Sequence, residues 1–224
     1  MNTGPTIIKR GGFISFEGPE GCGKSTQGRI LADRIKAKGY SVVCTREPGG
    51  TRTGELIREI LQHDKAGEAL VPEAEMLLFL ASRAQLVRQV ILPALESGTW
   101  VISDRFMDST VAYQGYGRGF DPERIMDFNK FAVGAVVPDL TLLLDLEVKE
   151  GFARMAERNR RTGVAHDRME RESVDFHERM RQGYLALARR MPDRIRVVGA
   201  ARSPEIVSEE IWKVVSDVLD CAHE

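Results

Sequence analysis

The stretch Gly18-Pro19-Glu20-Gly21-Cys22-Gly23-Lys24-Ser25 decides the fold of this chain. It follows the apolar run 13–16 and leads at Thr26 into a segment with helical periodicity. The spacing G-x-x-x-x-G-K-[ST] between a strand and a helix is typical of a phosphate-binding P-loop. Gly18 and Gly23 let backbone N–H groups approach phosphate oxygens, because no Cβ stands in the way. The stretch therefore predicts a nucleoside-triphosphate site.

The side chains of the loop match that chemistry. Lys24 can reach the β- and γ-phosphates of ATP, and the Ser25 hydroxyl can ligate Mg²⁺. The helix that follows offers unpaired N–H groups and its positive dipole end to the same anion. An ordinary glycine turn is the alternative, which the complete motif in its strand–helix context disfavours. We expect ATP to be bound by Gly18, Pro19, Glu20, Gly21, Cys22, Gly23, Lys24, Ser25 and Thr26.

The composition limits the class of protein. A chain of 224 residues, 42% of them hydrophobic, can form one α/β domain with its own core. A formal net charge of −1 gives no global basic field, so we expect neither nucleic acid nor a membrane as partner. Cys22, Cys44 and Cys221 form no spaced pair, which suits a reducing compartment. With no secretory signal and no apolar run of bilayer length, we expect the cytoplasm.

Alternating strand and helix patterns predict one parallel sheet with helices on both faces. We treat 1–224 as a single domain with a loose N-terminus at 1–12 and a mobile lid at 150–172. Strands are predicted at 13–16, 41–45, 100–103, 140–144 and 194–198. Helices are predicted from the P-loop to 38, at 53–62, 72–95 and 122–133, after 145 with a break near 161–165, at 167–190, and from 203.

Several charged residues fall where the predicted strands end. In an open parallel sheet, ligands bind outside the carboxyl ends of the strands. A kinase needs a second cationic site there, because two anionic phosphoryl groups must meet. Arg46 and Arg105 are the candidates, and Asp104 could take a Mg²⁺-bound water or orient the acceptor. A strand-terminal ion pair is the alternative for Asp104 and Arg105.

Two further groups could contact a ligand. Phe79 and Arg83 lie one turn apart on a helix, so a ring could stack on a base while a guanidinium donates to a carbonyl edge. A core phenylalanine and a solvated arginine are the alternative. The flap carries Arg154, Arg158 and Arg160, for which a solvated helix with Glu157 and Glu170 as partners is the alternative.

A P-loop alone does not name a reaction, and a GTPase is disfavoured because Asn129-Lys130-Phe131-Ala132 lacks the carboxylate of N-K-x-D. The chain carries further motifs: Phe16-Glu17-Gly18, Thr45-Arg46-Glu47-Pro48-Gly49-Gly50-Thr51, Phe79 with Arg83, Ser103-Asp104-Arg105, Ala112-Tyr113-Gln114-Gly115 and Pro138-Asp139. Together with the P-loop, these motifs resemble those of the thymidylate kinase family, in family order and over about 13–219.

The resemblance implies a nucleoside monophosphate kinase-like P-loop fold with a lid, a homodimer, and phosphoryl transfer from ATP to dTMP with Mg²⁺. It implies that the P-loop backbone, Lys24 and Ser25 hold ATP and Mg²⁺, and from its place at a strand end we expect Asp104 at the metal as well. On the acceptor side it implies phosphate binding by Arg46 and Arg105, thymine stacking on Phe79, and polar contacts from Arg83 and Gln114. Glu20 would contact the sugar 3′-hydroxyl or a metal-bound water, and Tyr113 would exclude ribose.

The resemblance also implies where the catalytic cations come from. No arginine follows Glu20 in the P-loop, so the chain is similar to the bacterial type in which the lid supplies it, with Arg154, Arg158 and Arg160 as candidates. The chain departs from the family at Phe106, where Tyr or His is common. Another deoxynucleotide or deoxynucleoside kinase stays an alternative function, and a P-loop ATPase switch is a weaker one.

Overall fold

Five parallel strands form one sheet in the computed structural model, which describes residues 11–63, 67–163 and 167–221. The strands are β1 Phe13–Glu17, β2 Val42–Arg46, β3 Trp100–Asp104, β4 Leu140–Asp145 and β5 Ile195–Gly199. Their order in the sheet is β2-β3-β1-β4-β5, and each neighbouring pair is parallel. Residues of the inner strands β1, β3 and β4 are almost all buried, because helices cover both faces.

The helices divide between the two faces as alternation of the strand side chains requires. The helices are α1 Lys24–Ala37, α2 Arg52–His63, α3 Pro72–Leu86, α4 Leu92–Glu96, α5 Met107–Thr110, α6 Pro122–Val133, α7 Val148–Thr162, α8 Val174–Arg190 and α9 Pro204–Cys221, with π-helical turns at Val87–Ile91 and Val111–Gly117. Ile14 and Leu142 point to the face covered by α1 and α9, and Phe13 and Leu143 point to the opposite face. The predicted doubly covered parallel sheet is confirmed.

Two helical predictions need correction. The helix expected from 167 begins instead at Val174, because Ser173 caps it by accepting from the Phe176 amide. Before it, Asp167 accepts from the Glu170 amide and closes a separate turn. The helical segment 107–117 was not predicted at all.

The expected loose N-terminus falls partly outside the described residues, which begin at Gly11. Gly11 and Gly12 are tied to the body of the protein: the Gly11 amide donates to Leu95 O at 2.9 Å, and the Val101 amide donates to Gly12 O at 2.9 Å. Loose chain is therefore wrong for these two residues. Part of the predicted lid break, 164–166, also lies outside the described residues.

The helical stretch Pro72–Glu96 corrects the expectation that no apolar run reaches bilayer length. Its 25 residues are long and apolar enough to cross a membrane by length and composition alone, although a core helix of a soluble protein passes the same test. Here Leu86, Val87 and Ile91 are fully buried in a cluster with Val101 of β3. This stretch packs on the sheet, as a core helix does.

Candidate active site

The P-loop runs from the end of β1 to the first turn of α1. Gly18 has a φ of 137°, and a Cβ there would lie 2.3 Å from Leu144 O on β4. Only glycine fits this approach. Lys24 Nζ donates to Gly18 O at 3.1 Å and Pro19 O at 2.8 Å, so the cation is held inside the loop. Cys22 is buried in the loop, and burial raises the pKa of its thiol. A protonated, buried thiol is consistent with a small residue that fills space in the loop.

Ser25 and Asp104 meet at the mouth of the loop, where the Ser25 hydroxyl donates to the Asp104 carboxylate. A hydroxyl and a carboxylate are hard oxygen ligands of the kind that Mg²⁺ takes beside substrate phosphates and water. Among the described residues, no group of three or more His, Cys, Asp or Glu is placed so that it could hold a metal ion by itself. The pair therefore fits a Mg²⁺ that nucleotide phosphates complete, and not a cation held in an all-protein cage.

Glu20, Arg105 and Tyr113 form a hydrogen-bonded cluster beside the P-loop. Arg105 Nη2 donates to Glu20 Oε1 at 2.6 Å, and the Tyr113 hydroxyl donates to the same oxygen at 2.5 Å. Burial alone would raise the pKa of Glu20, but Arg105 and Lys24 outweigh it and hold that pKa at about 2. Arg105 has a φ of 71°, a rare conformation for a residue with a side chain. The strained turn and the ion pair fix its guanidinium, which also lines the cleft.

A buried carboxyl, Glu17, lies beneath this cluster and was not singled out from the sequence as a site residue. It accepts from the Phe106 amide at 2.8 Å, from the Ser109 hydroxyl at 2.6 Å and from the Tyr184 hydroxyl at 2.8 Å. Burial, with the charge of Asp108, raises the pKa of Glu17 to about 7. Its partners come from distant parts of the chain, so local sequence gives no signal for it.

Arg83 is 1% exposed and fully satisfied by protein acceptors. Its Nε and Nη2 donate to Glu47 at 2.9 and 2.5 Å, and Nη1 donates to Thr110 at 2.7 Å and Asn129 at 2.6 Å. The remaining Nη2 hydrogen points to Phe106 O at 3.1 Å. A base carbonyl would have to displace one of these acceptors. The predicted contact between Arg83 and a base thus stays a prediction.

The other predicted acceptor-side residues do line the cleft. Phe79, Arg46 and Gln114 all border it, and Arg46 Nη2 donates to Glu55 at 3.0 Å. Phe106 is fully buried, with its ring 4.9 Å from that of Phe13, so it supports this wall from behind. The structure thus gathers the P-loop and the acceptor candidates around one cleft of about 490 Å³.

The three lid arginines do not lie in equivalent places. Arg154 and Arg158 border the cleft, with Arg154 bonded to Ala200 O at 3.0 Å and Arg158 bonded to Glu170 at 2.8 Å. Arg160 is not a cleft residue: its side chain is 75% exposed and pairs with Glu157. The structure therefore does not bring Arg160 to the other candidates.

Some cleft residues were missed by the sequence analysis. Arg58 borders the cleft from α2 and donates to Pro48 O at 2.8 Å. Its position follows α2 periodicity, but nothing in the sequence shows which helix face meets the cleft. The other missed lining residues include Glu47, Ser109, Thr110, Met155, Asp167 and Met169.

A P-loop on a five-stranded parallel sheet, an arginine-lined second half of the cleft and an arginine-bearing helical flap define a P-loop nucleoside monophosphate kinase. The thymidylate kinase family model matches residues 16–211. The chain belongs to the thymidylate kinase family, and its enzyme class is ATP-dependent phosphotransferase.

Individual relatives agree with this assignment. The chain is 52% identical to thymidylate kinase from Pelotomaculum thermopropionicum over 211 residues, which cover 94% of this chain and 95% of the relative. It is 50% identical to thymidylate kinase from Thermomicrobium roseum, over 92% of this chain and 95% of the relative. The crystal structure of thymidylate kinase from Ehrlichia chaffeensis matches with a TM-score of 0.72 and 35% identity, covering 92% and 99% of the two chains.

Proposed function

We propose that the cleft binds ATP and dTMP head to head and transfers the γ-phosphoryl group of ATP to dTMP, giving ADP and dTDP for dTTP synthesis. One observation carries the proposal. A single cleft is bordered both by the P-loop residues Lys24 and Ser25 and by a second cationic group, Arg105, with the ring of Phe79 further along. A phosphate donor and a planar phosphorylated acceptor therefore fit one site.

On the donor side, backbone N–H groups of the P-loop and the start of α1 bind the ATP phosphates. Lys24 leaves its loop carbonyls and contacts the β- and γ-phosphates when ATP enters. Ser25 and Asp104 would hold Mg²⁺, which would draw negative charge from the phosphate oxygens. The hydrogen bond between these two side chains places them side by side, which supports their joint role.

On the acceptor side, Arg46 and Arg105 bind the phosphate of dTMP and Phe79 stacks on thymine. Gln114 bonds to the polar edge of the base, while the ring of Tyr113 fills the space that a 2′-hydroxyl would need. Glu20 is held in place by Arg105 and the Tyr113 hydroxyl, so its second carboxylate oxygen is available to the sugar 3′-hydroxyl or a metal-bound water.

The reaction needs charge neutralisation more than acid–base chemistry. The attacking group is a phosphate oxygen that is already anionic near neutral pH, so no strong general base is required. Positioning and cations then supply most of the rate enhancement. The lid, 150–172, closes over ATP, and Arg154 and Arg158 bring guanidinium charge to the transferring group. Their places at the cleft border support this role.

We also propose that the chain acts in the cytoplasm as a homodimer. Large apolar side chains are exposed on three neighbouring helices, α2, α3 and α6: Leu56 is 64% exposed, Leu77 55% and Phe131 89%. Burying such side chains against a second copy would remove them from water. A single-species sedimentation profile at the monomer mass would exclude the dimer.

A panel of acceptors tests the proposed reaction. Purified protein with ATP and Mg²⁺ is offered dTMP, dUMP, dCMP, dGMP and thymidine, and the loss of each acceptor is followed by chromatography. We expect dTMP to be consumed most efficiently. Preference for another monophosphate or for the nucleoside would identify a different kinase, and ATP hydrolysis without any acceptor would identify an ATPase switch.

A further inference from the structure

Glu75 is a buried carboxylate at the far end of the acceptor side, outside the groups that the mechanism uses. It lies on α3 and is 1% exposed. Arg118 holds it with two hydrogen bonds, Nε to Oε1 at 3.1 Å and Nη2 to Oε2 at 2.9 Å, and Arg168 Nη2 lies 2.6 Å from Oε2. Although burial alone would raise it, the bonds from Arg118 and Gln114 keep the pKa of Glu75 below its usual value. Glu75 is therefore an ionised group that can only accept hydrogen bonds.

The partner that matters for the cleft is Gln114. Its Nε2 donates to Glu75 Oε1 at 2.8 Å, and the residue is 1% exposed. An amide can in principle face either way, but a carboxylate accepts and never donates. Glu75 therefore fixes the amide nitrogen toward itself and turns the carbonyl oxygen of Gln114 the other way.

That carbonyl oxygen belongs to a residue that borders the cleft. No hydrogen-bond donor within the described ranges 11–63, 67–163 and 167–221 bonds to it. Nor is it among the fully buried side-chain atoms of those ranges that lack a hydrogen-bond partner. An oxygen that has no partner and is not fully buried is accessible to a ligand. The cleft, which Phe79 and Arg83 also border, thus presents a fixed acceptor.

We propose that Glu75 is a positioning residue that sets the base specificity of the site by fixing the orientation of the Gln114 amide. The inference rests on the proposed binding of dTMP. Thymine carries a donor, N3–H, which the fixed Gln114 oxygen accepts. Cytosine carries a lone pair at N3, so the same oxygen faces another acceptor and the base is rejected. A site that accepts a hydrogen bond from a donor on one base discriminates strongly against a base that carries an acceptor at the same position.

Arg83 could donate to a base carbonyl only by giving up a protein acceptor, because its five N–H groups already have such partners. Arg118 and Arg168 hold Glu75 but do not border the cleft. The Gln114 oxygen, in contrast, can accept from a base without breaking a bond to the protein, and Glu75 controls its direction.

The test is the variant Glu75→Gln. It keeps the shape of residue 75 but replaces a group that can only accept hydrogen bonds with an amide that can also donate them. The new amide can accept from Arg118 and donate to the Gln114 oxygen, which lets the Gln114 amide turn and offer N–H groups to cytosine N3. We expect the ratio of kcat/KM for dTMP over dCMP to fall at least about tenfold. Glu73→Gln, an exposed position on the same helix, is the matched control and should leave the ratio unchanged.

If Glu75 has a merely structural role, kcat/KM should fall equally for dTMP and dCMP in Glu75→Gln. A constant ratio of this kind overturns the inference. If Glu75→Gln does not fold, Glu75→Asp is measured in its place. Aspartate keeps the charge but withdraws the carboxylate by one methylene, so the ratio should again fall, and an unchanged ratio again overturns the inference. The acceptor panel with the wild type separates this inference from the proposed function. A wild type without dTMP activity refutes the proposed function. If the wild type prefers dTMP but Glu75→Gln leaves the dTMP-to-dCMP ratio unchanged, only the role of Glu75 is refuted.

Discussion

Arg105 and Glu20 form an ion pair across the cleft wall, with Nη2 and Oε1 2.6 Å apart and side chains only 15% and 17% exposed. The pair joins the turn after β3 to the P-loop. The Arg105 backbone is in the left-handed region, and the guanidinium is held against the loop by its bonds to Glu20 and to Gly18 O. The donor and acceptor halves of the cleft are thereby connected through one charge pair.

The variant Arg105→Ala should lose at least about 10²-fold in kcat/KM for dTMP, since it removes a cation proposed to bind the acceptor phosphate. It should also lower the free energy of unfolding, because Glu20 keeps a partly buried charge without its guanidinium partner. Steady-state kinetics and urea titration measure the two effects. Arg202→Ala, which removes an exposed arginine paired with Glu210, is the control. Near wild-type turnover in Arg105→Ala would contradict its assigned role.

The lid arginines should separate by position. Arg158→Ala and Arg154→Ala should each lower kcat far more than they raise the KM for ATP, by up to about 10³-fold if the arginine neutralises the transferring group. Arg160→Ala should behave like wild type, because Arg160 is exposed and pairs with Glu157 outside the cleft. Loss of kcat in Arg160→Ala with Arg158→Ala active would reverse the assignment, and a rise in KM alone would show that the lid only binds ATP.

The fold was largely predictable, because one motif fixes a strand, a turn and a helix, and the remaining strands are apolar runs within one or two residues of their predicted bounds. The helical segment 107–117 was not predictable, because Thr110, Val111 and two glycines in it have low helix propensity. Packing against α8 overrides that propensity. A Cβ at Gly117 would lie 2.6 Å from the Phe176 ring, so α8 approaches this segment closely.

The site was predictable only as a set of residues, and its connections were not. The hydrogen-bonded pairs of the site are far apart in the sequence: 36 residues separate Arg83 from Glu47, 39 separate Gln114 from Glu75, and 92 separate Ser109 from Glu17. Nothing in local sequence pairs such residues, because the sheet order and helix packing bring them together. The sequence therefore gives no means of telling that Arg83 is saturated within the wall.

That saturation leads to a prediction for Arg83→Ala. Removing the guanidinium leaves the Glu47 carboxylate, 3% exposed, without its partner, so the free energy of unfolding should fall by about 3–5 kcal/mol. The double variant Arg83→Ala with Glu47→Gln should recover part of this loss, which a double-mutant cycle with the two single variants in urea measures. Wild-type stability in Arg83→Ala would contradict the buried pair. Separately, unchanged discrimination between dTMP and dCMP in a folded Arg83 variant would exclude Arg83 from base recognition.

Glu17 should make stability depend on pH in a direction unusual for a carboxyl group. Burial and the charge of Asp108 raise its pKa to about 7 from 4.5, so the folded protein binds a proton that the unfolded chain has already lost. Between pH 4.5 and about 7, stability from this group therefore falls as pH rises, by up to about 3 kcal/mol in total.

The variant Glu17→Gln isolates this contribution, because the amide can accept from the Phe106 amide and donate to the hydroxyl oxygens of Ser109 and Tyr184 without titrating. Urea unfolding of both proteins at pH 5, 6, 7 and 8 should show the wild type losing stability relative to Glu17→Gln as pH rises. The exposed Glu73→Gln variant should track the wild type at every pH. A wild type that gains stability over Glu17→Gln across the same range would mean that the four hydrogen bonds to Glu17 outweigh its burial and keep the carboxylate ionised.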